Sequence, residues 1–522
     1  MKIKLRLLAA VGCLALLGAC GGGGGTSGVA STSGTPATST SSIAFSTTQP
    51  TGTASTFETL TLTNNTTASV TLTSIGLTGA DPASFAESSN CPSTLAAAVS
   101  CTVWVTFGPA ITGSQTANLS IVSSAGSSPI VVALTGAGVA PTSPANVAPL
   151  VVDTGPIGLL SAGSYQQNEP FTTITVCTPG STTACQVIDH VLVDTNSTGL
   201  RILGQVLAPG GATPTGGAVP VPLIVNGNPL RECLNYGSGY TWGSVVAADV
   251  RLGGYTIASL PVTLIGDPAA GAAPTDCAAI GSNLGAVAFL GVNAILGING
   301  TGSLYDCPSC VSAPQATSYY SCPSGGTCTS TAVPLSSMAV NPVSRLPADN
   351  NGVLLSLAAP SVNGSQTVTG SLVFGINTEA NNSPGNANFL AVSSTGAFTT
   401  SFGGAVYTSY LSSTASANFL YSSTLITCAD YVAYYCPSGA QAESATLIDT
   451  NSVSSSAITF NVNNADLDFT NFHFAALPGL TAIQASSTAP IIWGLPFFFG
   501  RSVYVLFSGQ VVSSVTGPAI GF

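Results

Sequence analysis

The sequence predicts an all-β protein, a small N-terminal sandwich followed by a long two-lobed body. Three observations carry this. Apolar and polar residues alternate in short runs such as FETLTLTN, CTVWVTFGP and ANLSIVSS, separated by Gly, Pro, Asn and Asp. The polar positions are filled by Ser, Thr, Asn and Gly, while Asp, Glu, Lys and Arg make up only 5% of the 522 residues. Amphipathic helices prefer charged residues on their wet face, and no segment holds a helical period. Hydrophobic residues reach 45%, so a sizeable core is available.

The chain opens with Lys2, Lys4 and Arg6, then LLAAVGCLALLGA. This apolar stretch is too short for a permanent membrane span and reads as a signal segment over residues 1–19. It closes on Leu17, Gly18, Ala19 and Cys20, which resembles the lipobox of bacterial lipoproteins. The resemblance implies cleavage before Cys20, acylation of Cys20 and attachment to a lipid bilayer. With Gly21 after the Cys, it implies an outer-membrane lipoprotein, facing the periplasm or the surface. Without the leader, five Arg and no Lys stand against 19 acidic residues, a balance of −14. That excludes nucleic-acid binding as a main task and any Lys-based chemistry in the mature chain. Two histidines, His190 and His473, exclude a His-rich metal centre; neither metal nor cofactor is expected.

Of 14 cysteines, Cys13 leaves with the leader and Cys20 is acylated, so an even number remains. An exported chain meets an oxidising compartment, and disulfides are the default there. Local spacing pairs Cys91 with Cys101, Cys177 with Cys185, Cys233 with Cys277 and Cys428 with Cys436. Cys307, Cys310, Cys322 and Cys328 form a quartet with three pairings open. Without a nearby His, its C-x-x-C reads as bridging rather than zinc binding.

Residues 20–42, GGGGG and then Ser, Thr, Gly and Pro, read as a flexible tether. Residues 43–139 follow with about seven strand signals, as in an immunoglobulin-like sandwich. The order LTLTN, SIGLTGAD, C-P-STLAAAVSC, then LSI and LTGAG resembles the choice-of-anchor or ASH-type immunoglobulin-like domains of bacterial surface proteins. Such domains act as spacers or binding modules, and Trp104 is expected to plug the core.

After an Ala/Pro linker at 140–148, residues 149–522 form one strand-rich body. Its most informative string is HVLVDTNSTGLRIL, in which an apolar strand delivers Asp194-Thr195 to a sharp polar turn. Downstream lie NYGSGYTWGSV with Tyr236, AILGIN with Gly297, GSLVFGIN, and IIWGLPFF with Gly494. In order and spacing these resemble the catalytic loop, flap and crossing strands of pepsin-like aspartic proteases. Asp194 would be a catalytic acid and Tyr236 the flap tyrosine. The resemblance implies lobe one over about 149–335 and lobe two over about 336–522. The strings VDT, GYTWGSV and WGLPFF also resemble a family of bacterial lipoproteins known as domain of unknown function 3443.

Pepsin-like hydrolysis needs two carboxylates sharing a proton. Two segments compete for the second position. Ser412-Ser413 stands 82 residues before Gly494, and Asp449-Thr450 only 45, against 103 from Asp194 to Gly297. Spacing favours Ser412 as the counterpart, with Asp449 as the alternative second Asp. Asn196 stands where pepsins carry Gly, and a left-handed Asn would preserve the loop. Arg201 replaces an aromatic.

Glu169, Asp189 and Asp249 read as turn or surface acids, Asp306 as a turn residue and His190 as a satisfied edge residue. Tyr236 and Trp242 have a plain alternative as hairpin packing. The expectation is a degenerate dyad, leaning away from enzyme, in a cleft that binds peptide or glycan. The alternatives are an active aspartic endopeptidase using Asp194 and Asp449, or an adhesin-like surface protein.

Overall fold

The computed structural model describes residues 35–125, 128–208, 213, 215–470 and 474–522. The expected signal segment, Cys20 and the expected tether up to residue 34 lie outside them, as does His473.

Residues 37–139 build two packed sheets. One orders Ala37–Thr38, Glu58–Thr63, Ser100–Phe107 and Phe85–Ser89. The other orders Ser42–Ala44, Ile130–Val139, Gly113–Ser123, Val70–Thr78 and Thr94–Leu95. Alternation dictates the packing: Leu60 and Leu62 are wholly buried while Thr59 and Thr61 are exposed. Leu60, Leu62, Val103 and Val105 meet Leu119, Ile121, Val132 and Leu134 from the facing sheet. Trp104 falls on the other face of its strand, half-buried and outside this core, so it does not plug it. The alternation that buries Val103 and Val105 turns their neighbour outward. The sandwich begins six residues before the expected boundary at 43, and the expected linker gives way to a strand at Val147.

The sandwich rests on the first lobe. Arg251 Nη1 donates to the Ala110 carbonyl at 3.2 Å, and Ser88 Oγ to Ser161 Oγ at 2.9 Å. Ala110 also packs on the Cys177–Cys185 bridge.

The two lobes of the body share a sheet. Val147–Val152 pairs along all six residues with Val368–Val373 of lobe two, and also with the start of Pro170–Cys177 in lobe one. Wholly buried Asn168 adds a rivet: its side chain donates to the Ser416 and Leu477 carbonyls at 2.7 and 2.9 Å and accepts from Leu477 N–H at 2.7 Å. Asn168 has φ +54°, a backbone region that Asn tolerates better than most side chains. One apolar cluster runs through both lobes, from Val193, Leu200 and Leu296 to Trp493 and Phe497. Among the described residues the longest helix is Ala465–Thr470.

All six disulfides are formed: the four expected from spacing, with the quartet resolved as Cys307–Cys310 and Cys322–Cys328.

Candidate functional site

Each lobe contains the same local device. In lobe one, Cys185–Asp194 runs into a three-residue loop and returns as Thr198–Leu203. The strand Ala294–Ile298 lies between them, parallel to the first and antiparallel to the second. Asp194 is level with Gly297. In lobe two, Ala405–Leu411 runs into a loop and returns as Asn418–Leu420, with Ile491–Trp493 between them in the same two senses. Leu411 is level with Trp493, so the next step puts Ser412 level with Gly494. Both glycines are required by close approach. A Cβ on Gly297 would lie 2.7 Å from the Ser197 carbonyl carbon, and one on Gly494 only 2.1 Å from the Ala417 oxygen.

The two loops meet. Thr195 N–H donates to Ser413 Oγ at 3.1 Å, and Ser413 N–H donates to Thr195 Oγ1 at 3.1 Å. Ser413 Oγ donates onward to the Val193 carbonyl at 2.6 Å. Asp194 is 8% exposed; its Oδ1 accepts Asn196 N–H at 2.8 Å and Thr414 Oγ1 at 3.5 Å. Thr414 Oγ1 is in turn 3.5 Å from Ser412 Oγ, so a hydroxyl pair spans from Ser412 to the carboxylate. Asn196 keeps the loop without a left-handed backbone, contrary to expectation. Its side chain reaches across the lobes to the Leu411 carbonyl at 3.3 Å.

Asp449 is elsewhere. It sits in the hairpin turn after Gln441–Ile448, where its carboxylate accepts the N–H groups of Asn451, Val453 and Ser454 at 3.0, 2.9 and 3.1 Å. Its strand is separated from Ala405–Leu411 by Phe398–Phe402, a spacing of roughly 10 Å at the usual interstrand distance. An Asp-Thr pair here is a turn cap, which local sequence alone does not distinguish from a site.

A cavity of about 560 Å³ opens beside Asp194, lined also by Asn196, Ser197, Tyr236, Arg201 and Asp306. Tyr236 stands at the tip of the hairpin formed by Asn228–Asn235 and Gly239–Leu252. Gly237, at φ +72°, turns the chain there. Trp242 is buried against Tyr320, so its plain packing role holds. The Tyr236 ring packs near Phe171, Val292 and Ile295. Its buried hydroxyl has no hydrogen-bond partner among the described residues, nor has Ser197 Oγ. Burial raises the Tyr236 phenol; the Arg201 charge opposes that rise, and the negative charges of Glu232 and Asp194 add to it.

Behind the cavity lies an ion cluster that sequence reading missed. Arg201 is wholly buried; its Nε and Nη2 bind the two Glu232 oxygens at 3.1 and 2.5 Å, and Nη2 also meets Asp306 at 3.2 Å. Its Nη1 donates to the Thr198 carbonyl at 2.7 Å. Burial opposes the charge on Glu232, but Arg201 outweighs it and holds that carboxyl below its ordinary range. Asp306 is pushed well above its range by burial and then by Glu232. It accepts from Tyr319 Oη at 2.9 Å, and is no mere turn residue. The cluster thus joins one cation to two carboxyls whose affinities for a proton are pushed in opposite directions.

Glu169 is also more than a surface acid. Phe171 pairs with Leu192 and Thr172 with Val191 in an antiparallel ladder, and Glu169 just precedes this strand on the side where its partner strand ends at Asp194. Glu169 Oε2 is enclosed and lacks a partner among the described residues. Burial, and then the Asp194 charge, raise this carboxyl well above its ordinary range. An isolated acid at the head of the apolar strand FTTITVC was the available signal.

The remaining acids are structural. Asp249 is buried and accepts the N–H groups of Gly180 and Ser259, both at 2.8 Å. Asp189 and Asp153 flank His190 at 3.0 and 3.2 Å. Burial works to lower the His190 pKa, but these two carboxylates lift it to about 10. Cys428, Cys436 and Asp466 lie close enough to suggest a metal site. Both sulfurs are tied in a disulfide, however, and Asp466 accepts loop N–H groups from Ala429 to Tyr431.

The chain is similar to the crystal structure of an aspartic proteinase from Irpex lacteus. The match has 13% identity and a TM-score of 0.38, and covers 72% of this chain and 96% of that one. No curated protein matches it. Residues 142–522 match the family model described as a protein of unknown function, DUF3443, and the chain belongs to that family.

Proposed function

We propose that this is an exported lipoprotein whose pepsin-like body binds an extended peptide or glycan in the Asp194 cleft without hydrolysing it. The observation that carries this reading is Ser412 level with Gly494, matching Asp194 level with Gly297. Asp194 and the Ser412 hydroxyl, linked through Thr414, would then occupy the positions where a two-aspartate enzyme holds two acids. A hydroxyl does not titrate in the range where the dyad divides into acid and base. Acylated Cys20 would hold the protein at the outer membrane, with the immunoglobulin-like sandwich as the module carrying the cleft.

The test uses purified residues 21–522 incubated with unfolded protein between about pH 3 and 7, the range in which a carboxylate dyad titrates. The expected result is retention of peptide on the protein with no cleavage above that of an Asp194→Ala variant. Cleavage present in the parent and absent from the variant overturns the non-hydrolytic reading. Anchoring is read separately: fatty-acid labelling in cells is expected for the parent and lost in Cys20→Ser.

A further inference from the structure

Charge accounting around the cavity is lopsided. Two acids, Asp194 and Asp306, line it; Glu232 binds Arg201 behind it, and Glu169, outside the lining, lies close enough to feel the Asp194 charge. The base beside them is Arg201, and it is committed. Four hydrogen bonds to Glu232, Asp306 and the Thr198 carbonyl occupy its fork, leaving little to offer a ligand or Asp194. Asp194 and Glu169 are therefore left without a basic partner among the described residues.

The hydrogen-bond inventory points the same way. Among the described residues, the hydrogen bonds that reach the Asp194 carboxylate fall on Oδ1. Glu169 Oε2 and Tyr236 Oη are enclosed and unpartnered, and both groups feel the Asp194 charge. A buried polar atom left unpaired costs about 1–3 kcal/mol, so each such atom calls for a partner that the described residues do not supply. A neutral ligand group could satisfy one of them. An alkylammonium carries three donors and a positive charge, and matches the set: carboxylate, second carboxyl and phenolic oxygen.

Resting on the cleft-binding reading above, we infer that the cleft recognises a cation: a peptide segment bearing a lysine-like ammonium, seated at Asp194 beside Tyr236, with Glu169 behind Asp194. The acids keep separate duties. Glu232 and Asp306 hold Arg201, and Asp194, backed by Glu169, receives the ligand.

The experiment is calorimetric titration of residues 21–522 with two otherwise identical short peptides, one carrying lysine and one norleucine at the same position. The lysine peptide is expected to bind at least about tenfold tighter, as one charge-assisted contact of roughly 1.4 kcal/mol gives. Glu169→Gln and Asp194→Asn should each erase most of that preference while far-ultraviolet circular dichroism stays unchanged. Equal affinity for the two peptides overturns the cation inference and leaves the cleft reading standing, with water as the partner of the enclosed atoms. No binding of either peptide overturns both. A preference that survives both substitutions places the cation elsewhere and also overturns the inference.

Discussion

Thr195 and Ser413 trade hydrogen bonds across the lobes, each backbone N–H donating to the other's hydroxyl at 3.1 Å. This reciprocity fixes the two loops against each other and sets the distance between Asp194 and the Ser412 segment. Both residues are buried, so water cannot replace either bond.

Replacing Ser413 with alanine removes the acceptor for Thr195 N–H and the donor to Val193. The expected loss is about 1–3 kcal/mol, read as a shift in the urea midpoint. Ser413→Thr keeps the hydroxyl and should remain much closer to the parent.

Ser412→Asp places a second acid beside Thr414 and Asp194. Like charges raise the folded pKa of the pair above its unfolded value. The stability deficit relative to the parent should therefore be largest near pH 7 and shrink as pH falls towards about 4, where the pair takes up a proton. Denaturation midpoints measured across that range check the sign.

Arg201→Ala strands Glu232 as an uncompensated buried charge, and the expected cost is about 3–5 kcal/mol. Arg201→Lys should rescue only part of it, because a point charge cannot bind both Glu232 oxygens and the Thr198 carbonyl together. The double change Arg201→Met with Glu232→Gln should fall between the parent and Arg201→Ala. Thermal melting of the four proteins tests the order.

His190 has a raised folded pKa of about 10, so its pairing contributes fully below the unfolded value. That unfolded value is about 6.5. The contribution should fade as pH rises from about 6.5 towards 10. The stability difference between the parent and His190→Gln is expected to be largest at about pH 6 and to fall progressively above it.

Loop length orders the disulfides. Cys233–Cys277 closes a separation of 44 residues and Cys307–Cys310 one of 3. In the chain-entropy picture, removing the first costs about 4 kcal/mol and the second about 2 kcal/mol. Paired Cys→Ala variants compared by urea denaturation check this ranking.

The repeat was legible because it is written in spacing. Asp194 and Gly297, and Ser412 and Gly494, are each a strand end followed, 103 and 82 residues later, by a close-approach glycine after an apolar strand. Tyr236 was legible because a Gly-flanked aromatic between two apolar strands reads as a hairpin tip. The acids were not. Whether Glu169 and Asp306 face water or the interior depends on which strand lies opposite, and that pairing joins residues far apart in sequence. Asp449-Thr450 shows the converse: a motif nearly identical to Asp194-Thr195 caps a turn because no second loop comes to meet it.

The strand Val147–Val152 comes first in the body yet lies along Val368–Val373, beyond the middle of the chain. Neither half can therefore mature alone. Cut near residue 336, the leading fragment would carry a strand with a bare edge, and the trailing fragment would lack the neighbour that covers its own. During synthesis the opening segment has to wait, unpaired on one side, until more than 200 further residues have emerged.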